Sequence, residues 1–275
     1  MSALPARRAA AERLPALARL WTPRVRNVVA PALFFAVFVA LWQAHVFNDL
    51  LGLATYAVPL PAEIAEAAWE GREELLRSFG QTFAAVLLGY ALGNGLGFVL
   101  ALGLLALPED GARRAGAVFG AFQALPIIAI APLVALWIAD TLWFKALVVT
   151  IMTFPSMLVY AWRGMSGVPE PALELMASYR ASTWQVLRGL RIPSAVPQVF
   201  TALKYTTVLA LIGVVVCEIL KSHDGLGYEI HDALQMFSTA RAWAAVGVLA
   251  LVGIVNYSLL VVVERLLFPW AARRG

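Results

Sequence analysis

Four stretches of this sequence run for about twenty residues or more without Asp, Glu, Lys or Arg: Val28–Val46, Phe83–Leu107, Ala115–Ala139 and Ala242–Val263. That length, wound as a helix, matches the hydrocarbon thickness of a bilayer. In lipid each peptide group must be satisfied within its own segment, so such stretches form helices. Leu142–Trp162 is a fifth stretch of this kind, interrupted only by Lys145 near one end. A further, weaker one has only Tyr205–Cys217 free of charge and borrows Val199–Lys204 and Glu218–Leu220, with Lys204 snorkelling to the interface. The expectation is an all-α membrane protein with six transmembrane helices.

Composition agrees. The chain is 61% hydrophobic and 14% charged, with mean hydropathy +0.77, where a soluble domain carries about a quarter charged residues. A net charge of +4 and a pI near 9.5 could suggest nucleic acid, but in so apolar a chain the arginines read as loop anchors. The arginines before Val28 lead into a long apolar segment with no small-residue cleavage site, so the N-terminus reads as an anchor, not a cleaved signal. With both termini on the cytoplasmic side, 16 Lys and Arg fall inside and five outside, namely Arg72, Arg77, Lys145, Lys221 and Arg241. That asymmetry sets orientation.

Within the spans, Gly89, Gly93 and Gly97 repeat every four residues and mark a face for close helix approach. Pro126, Pro132 and Pro155 interrupt helical hydrogen bonding at membrane depth. The polar residues at that depth are Asn94, Gln123, Glu218 and Asn256. Gln123 with Pro126, and Glu218, are candidates for a translocation path or gate; Glu218 could also sit at the outer interface and pair with nearby Lys221. Asn94 and Asn256 read as interhelical hydrogen-bond partners. The tryptophans near span ends fit an interfacial belt.

No catalytic constellation is present: no Ser/His/Asp arrangement, no HExxH, no metal spacing among Cys217 and the three histidines, and no phosphate-binding loop. Work done by this chain must therefore draw on an ion gradient or a partner.

The longest polar interruption of the second half is Ala172–Pro197. Pro171 suits the first turn of a helix running to about Tyr179, with Leu173, Met176 and Leu175 on one side. Ser182 and Gln185 have capping-box spacing, and Pro193 and Pro197 should end or kink the helix that this box begins. The result is a helix, a sharp turn and a helix at the membrane surface.

Glu174-Leu-Met-Ala-Ser-Tyr-Arg-Ala-Ser182, followed through Trp184 and Arg188 by Ile192-Pro193, resembles the EAA loop of ABC-type importer permeases. Val58–Glu63, Phe122–Trp137 and Gly225-Leu-Gly-Tyr228 extend the resemblance over most of the chain. The branch resembled handles nitrate, sulfonates, taurine, and pyrimidine or flavin compounds, and Leu175–Tyr179 leans toward the pyrimidine and flavin side. The pattern departs at Arg180, where the family has glycine, at Leu175-Met176 in place of Ala-Ala, and at Ile138-Ala-Asp140 after Trp137.

The resemblance implies a type I ABC importer permease fold and a multi-pass place in the bacterial cytoplasmic (inner) membrane. It implies an N-terminal arm 1–27, a permease domain 28–267 with a coupling loop 166–197, and a tail 268–275. Glu174, Leu175, Met176, Ala177, Tyr179, Arg180, Ala181, Ser182 and Trp184 would engage the ATPase. The implied partners are a second permease copy, two ATP-binding subunits and an extracytoplasmic substrate-binding protein that delivers solute near Gly225–Tyr228. No cofactor is expected on this chain, since ATP and Mg²⁺ would lie on the partner ATPase. The alternative is an ion-coupled secondary transporter, for which Glu218 is the one marginal proton or ion site.

Overall fold

The computed structural model describes residues 23–270 except positions 53, 55, 125 and 140. The N-terminal arginines before Pro23 and the tail's Arg273 and Arg274 lie outside the described residues. Every regular element among the described residues is helical. The chain divides into two compact units, 1–65 and 66–275.

In the first unit, α1 (Pro23–Gln43) covers most of the first expected span, and α2 (Val46–Leu51) follows a tight turn at His45, whose φ is 61°. The proline-containing stretch after them is fastened locally. Asn48 Nδ2 donates to the Val58 carbonyl at 3.0 Å. Leu60 N donates to the Glu63 carboxylate at 2.9 Å, a carboxylate capping the start of α3 (Pro61–Glu70).

The second unit is built on α4 (Arg72–Leu104), α5 (Glu109–Ala121), α6 (Ile127–Val134), α7 (Leu142–Ser166), α8 (Glu170–Ser178), α9 (Thr183–Lys221), α10 (Leu226–Gln235) and α11 (Thr239–Leu267). Four of these, α4, α7, α9 and α11, are long and apolar enough to cross a membrane.

The third expected span, Ala115–Ala139, is not one straight helix. α5 and α6 meet at 90° across Phe122–Pro126. Pro126 has no N–H to donate and takes an extended backbone, φ −72° and ψ 106°, so the helix stops and restarts. The fifth span departs in the other direction. It begins at Thr183 and runs 39 residues to Lys221, and does not end at Pro193 or Pro197. A π turn at Leu187–Arg191 directly precedes Pro193 and widens the helix where the proline ring would meet the preceding turn. α4 is also longer than expected: its 33 residues extend for about 50 Å, more than the roughly 30 Å of a bilayer's hydrocarbon, and Glu73 and Glu74 lie in its first turn.

The glycine repeat does what its spacing predicts. α4 lies against α7 so closely that a Cβ on Gly89 would come 2.6 Å from Val149 Cβ, and one on Gly97 would come 2.9 Å from Met157 Cβ. Polar side chains stitch α4 to α9. Tyr90 donates its hydroxyl to the Leu203 carbonyl at 2.9 Å. Asn94 Oδ1 accepts from Thr206 at 3.0 Å while its amide donates to the Tyr90 carbonyl at 2.8 Å. Lys204 does not snorkel alone, because it pairs with Glu264 of α11. The core follows these contacts, with Ala101, Met157, Ala161, Met165, Ala195 and Ala202 forming one fully apolar cluster.

Candidate functional site

α8 is strapped between two helix ends that the fold holds together. Gly164 near the end of α7 faces Ala195 of α9 at backbone distance, since a Cβ on Gly164 would lie 2.8 Å from Ala195 Cα. Beside it, Arg191 in the π turn donates from Nη1 to the Met165 carbonyl at 3.3 Å.

Both ends of the α8–α9 turn are closed by local chemistry. The Arg180 N–H donates to the Ala177 carbonyl at 2.9 Å and the Ala181 N–H to the Met176 carbonyl at 3.0 Å, the paired bonds of a Schellman motif. Arg180 occupies its left-handed position with φ 53°, the conformation that glycine adopts without strain. Directly afterwards Ser182 N donates to Gln185 Oε1 at 2.7 Å and Gln185 N to Ser182 Oγ at 3.3 Å, the expected capping box.

Leu173 and Met176 share one side of α8 as expected, whereas Leu175 does not join them. Leu173 and Met176 turn toward the protein and are half-buried; Met176 Cε approaches the position of a Cβ on Gly189 to 4.0 Å. The apolar side chains presented outward are Leu175, Tyr179 and Trp184, which are 56%, 76% and 64% exposed. Leu175 and Tyr179 are four residues apart and share one face. Glu174, Ala177, Arg180 and Ser182 are also exposed, and Ala181 is half-buried. The result is a short helix and a doubly capped turn with three apolar knobs in solvent, Leu175 and Tyr179 at the end of α8 and Trp184 in the first turn of α9, a geometry suited to a complementary cleft.

The three path candidates separate. Gln123 is exposed in a hollow with Phe122, Met152, Pro155, Tyr205 and Leu209. Pro126 is the hinge just beyond it. Glu218 does not line that hollow. It is fully buried near the opposite end of α9 from α8, and its partners are Thr82, the Gly227 N–H and Lys145. The proposed pairing with Lys221 therefore gives way to one with Lys145, which α7 delivers from its first turn. Sequence reasoning overlooked Lys145 and Thr82 as members of this cluster. A lone lysine in an otherwise apolar span, set beside a lone glutamate in another, was the signal that they pair.

Residues 93–269 match the model of the family described as "Binding-protein-dependent transport system inner membrane component". The chain belongs to that family.

Among members of this binding-protein-dependent transport family, the chain is 33% identical to the riboflavin transport system permease protein RibX of Chloroflexus aurantiacus, covering 91% of this chain and 96% of that protein. It is 29% identical to the formylaminopyrimidine transport permease protein ThiX of Halalkalibacterium halodurans, covering 91% and 99%. It is 27% identical to the putative aliphatic sulfonates transport permease protein SsuC of Bacillus subtilis, covering 86% and 85%. Its fold is that of a chain from a bacterial ABC transporter involved in the import of the acidic polysaccharide alginate, at a TM-score of 0.61 and 17% identity over 91% of this chain and 99% of that one. As an ABC importer permease, the chain has the membrane-spanning apolar helices of a transport permease.

Proposed function

We propose that this chain is the permease subunit of an ATP-driven, binding-protein-dependent importer, with α8 as the helix that couples it to a partner ATPase. The observation that carries this reading is the exposed trio Leu175, Tyr179 and Trp184 across the α8–α9 turn, which a Schellman motif closes on one side and a capping box on the other. A lever must move without bending, and an uncapped loop would absorb the motion of its partner.

In this reading the chain crosses the membrane six times, with α5 and α6 together as one broken span, α1 as the first and both termini cytoplasmic. Residues 28–267 form the permease domain and 166–197 its coupling loop. Glu174, Leu175, Ala177, Tyr179, Arg180, Ser182 and Trp184 face the ATPase, while Met176 and Ala181 seat the helix from behind. Two copies pair around a path onto which Gln123 and Pro126 open. Two ATP-binding subunits sit below, and a substrate-binding protein delivers solute from outside near Gly225–Tyr228. ATP and Mg²⁺ act on the partner. The substrate is a small organic solute, and the riboflavin and formylaminopyrimidine relatives support a flavin- or pyrimidine-like ring over a sulfonate.

An ion-coupled carrier is disfavoured because it needs an ionisable group open to the path, and Glu218 is sealed among Thr82, Lys145 and Gly227. The deciding experiment is co-expression with neighbouring ATPase subunits. A stable purified complex whose ATP hydrolysis drives solute uptake is expected. Failure to bind any ATPase, together with uptake that follows a proton or sodium gradient, would sink the permease reading.

A further inference from the structure

At the end of the helices opposite α8, four elements converge on one carboxylate. Glu218 of α9 is fully buried, and each of its oxygens is engaged. The Thr82 hydroxyl of α4 lies 2.9 Å from Oε1 and 3.0 Å from Oε2. The Gly227 N–H at the start of α10 donates to Oε2 at 2.9 Å. Lys145 Nζ of α7 stands 3.5 Å from Oε1. Thr82 uses its hydroxyl twice, since its oxygen also accepts the Leu226 N–H at 2.8 Å. Lys145, equally buried, also binds the Asp224 carboxylate and donates to the Asp224 carbonyl at 3.1 Å.

The backbone around this cluster admits no side chain. Gly225 has φ 98°, and a Cβ there would come 2.7 Å from Glu218 Oε2. A Cβ on Gly227 would come 2.7 Å from Glu218 Cβ. The Gly-Leu-Gly-Tyr turn thus has the sequence it has because it wraps around a carboxylate. Glu218 also lies at the N-terminus of α10, where the orphan N–H groups of a ten-residue helix favour an anion. A buried ion pair adds little net stability, because desolvation offsets its attraction.

We propose that Lys145 and Glu218 are positioning residues for transport: they lock the Gly225–Tyr228 turn and α10 to the ends of α4, α7 and α9. Movement begun at α8 then arrives at the far side as displacement of one rigid body. This rests on the reading of α8 as the ATPase-coupled lever. Without the lock, the long helices would still move but the turn and α10 would lag behind, so ATP would be hydrolysed without remodelling the far surface.

The test uses the full transporter, permease with its ATPase, in proteoliposomes. Cys217 is replaced by alanine, and a single cysteine is placed at exposed His231 of α10. Labelling by a membrane-impermeant maleimide is compared without nucleotide and with ATP plus vanadate, alongside ATP hydrolysis. The otherwise unaltered chain is expected to show at least about a fivefold difference in labelling rate between the two states. Lys145→Met should abolish that difference while hydrolysis persists, and Thr82→Val, an isostere that is less exposed to misfolding, should shrink it. Lys145→Met combined with Glu218→Gln should restore most of it, because the amide keeps an acceptor for Thr82 and Gly227 and leaves no unpaired charge in the buried cluster, the Asp224 carboxylate being 46% exposed to water. Persistence of the full difference in both single variants, a double variant no better than Lys145→Met, loss of hydrolysis in step with labelling, or no difference in the unaltered chain would each overturn the proposal. Failure of the unaltered chain to bind an ATPase would instead overturn the lever reading and this proposal with it.

Discussion

The carbonyl of Met176 accepts the N–H of Ala181 at 3.0 Å, and that bond encloses Arg180 in the left-handed conformation. A non-glycine residue there costs roughly 1–2 kcal/mol. Arg180→Gly should therefore leave insertion and uptake intact and raise stability by about 0.5–1 kcal/mol, the strain relief being partly offset by the freer unfolded chain. Thermal unfolding in detergent measures the stability gain, and solute uptake measures the retained function. A severe uptake defect in a well-folded Arg180→Gly protein would mean that the guanidinium itself contacts the ATPase.

The outward knobs and the inward ones should fail differently. Leu175→Asp alters only an exposed surface, so the permease should fold normally yet lose co-purification with its ATPase. Met176→Pro removes a bond inside α8 and costs about 3 kcal/mol locally. Uptake and coupled hydrolysis should both vanish while membrane insertion persists. Unaltered transport in either variant would contradict the assignment of α8.

Two glycines of α4, two residues apart, make a matched control. Gly93 sits against Thr150 and Thr153 of α7, whereas Gly95 has open space around it. Gly93→Leu should destabilise by at least about 1–3 kcal/mol through overpacking, read as a lower unfolding temperature and lower yield. Gly95→Ala should be neutral or slightly stabilising, as expected for removing a helix-interior glycine.

Gln123 and the Tyr205 hydroxyl are the polar side-chain groups of a mostly apolar hollow whose lining includes Phe122, Met152, Pro155 and Leu209. If solute passes there, Gln123→Leu removes about one hydrogen bond, worth about 1 kcal/mol. The expected outcome is a shift of about fivefold in the KM for uptake, with assembly unchanged. Identical uptake kinetics would move the path elsewhere.

The features legible in the sequence were the local ones. The Ser182–Gln185 box depends on four consecutive residues, and the Gly89–Gly97 ridge on a repeat of four, so each can be read without knowing the fold. The same is true of the stop at Pro126, although not of its 90° turn, which tertiary packing sets. Pro193 behaves conversely: its own chemistry predicts an end or a kink, and the π turn ahead of it lets the helix run on without ending. The facing of α8 was not readable, because a nine-residue helix with apolar groups at 173, 175 and 176 can bury either side until α9 lies beneath it. Least accessible was the Lys145–Glu218 contact, made between residues of two different spans across 73 positions.

The π turn at Leu187–Arg191 has a geometric consequence for how such a chain can be retuned. One residue of an α-helix advances the azimuth by about 100°, and a π turn is an α-helix holding one extra residue. The membrane portion of α9 and the segment bearing Trp184 are thus joined through one widened turn, like two shafts joined by an offset coupling. Deleting a single residue there would return the turn to α geometry, press the Pro193 ring against the carbonyl one turn back, and pull Leu187 and Arg191 away from the core and the Met165 carbonyl they now meet.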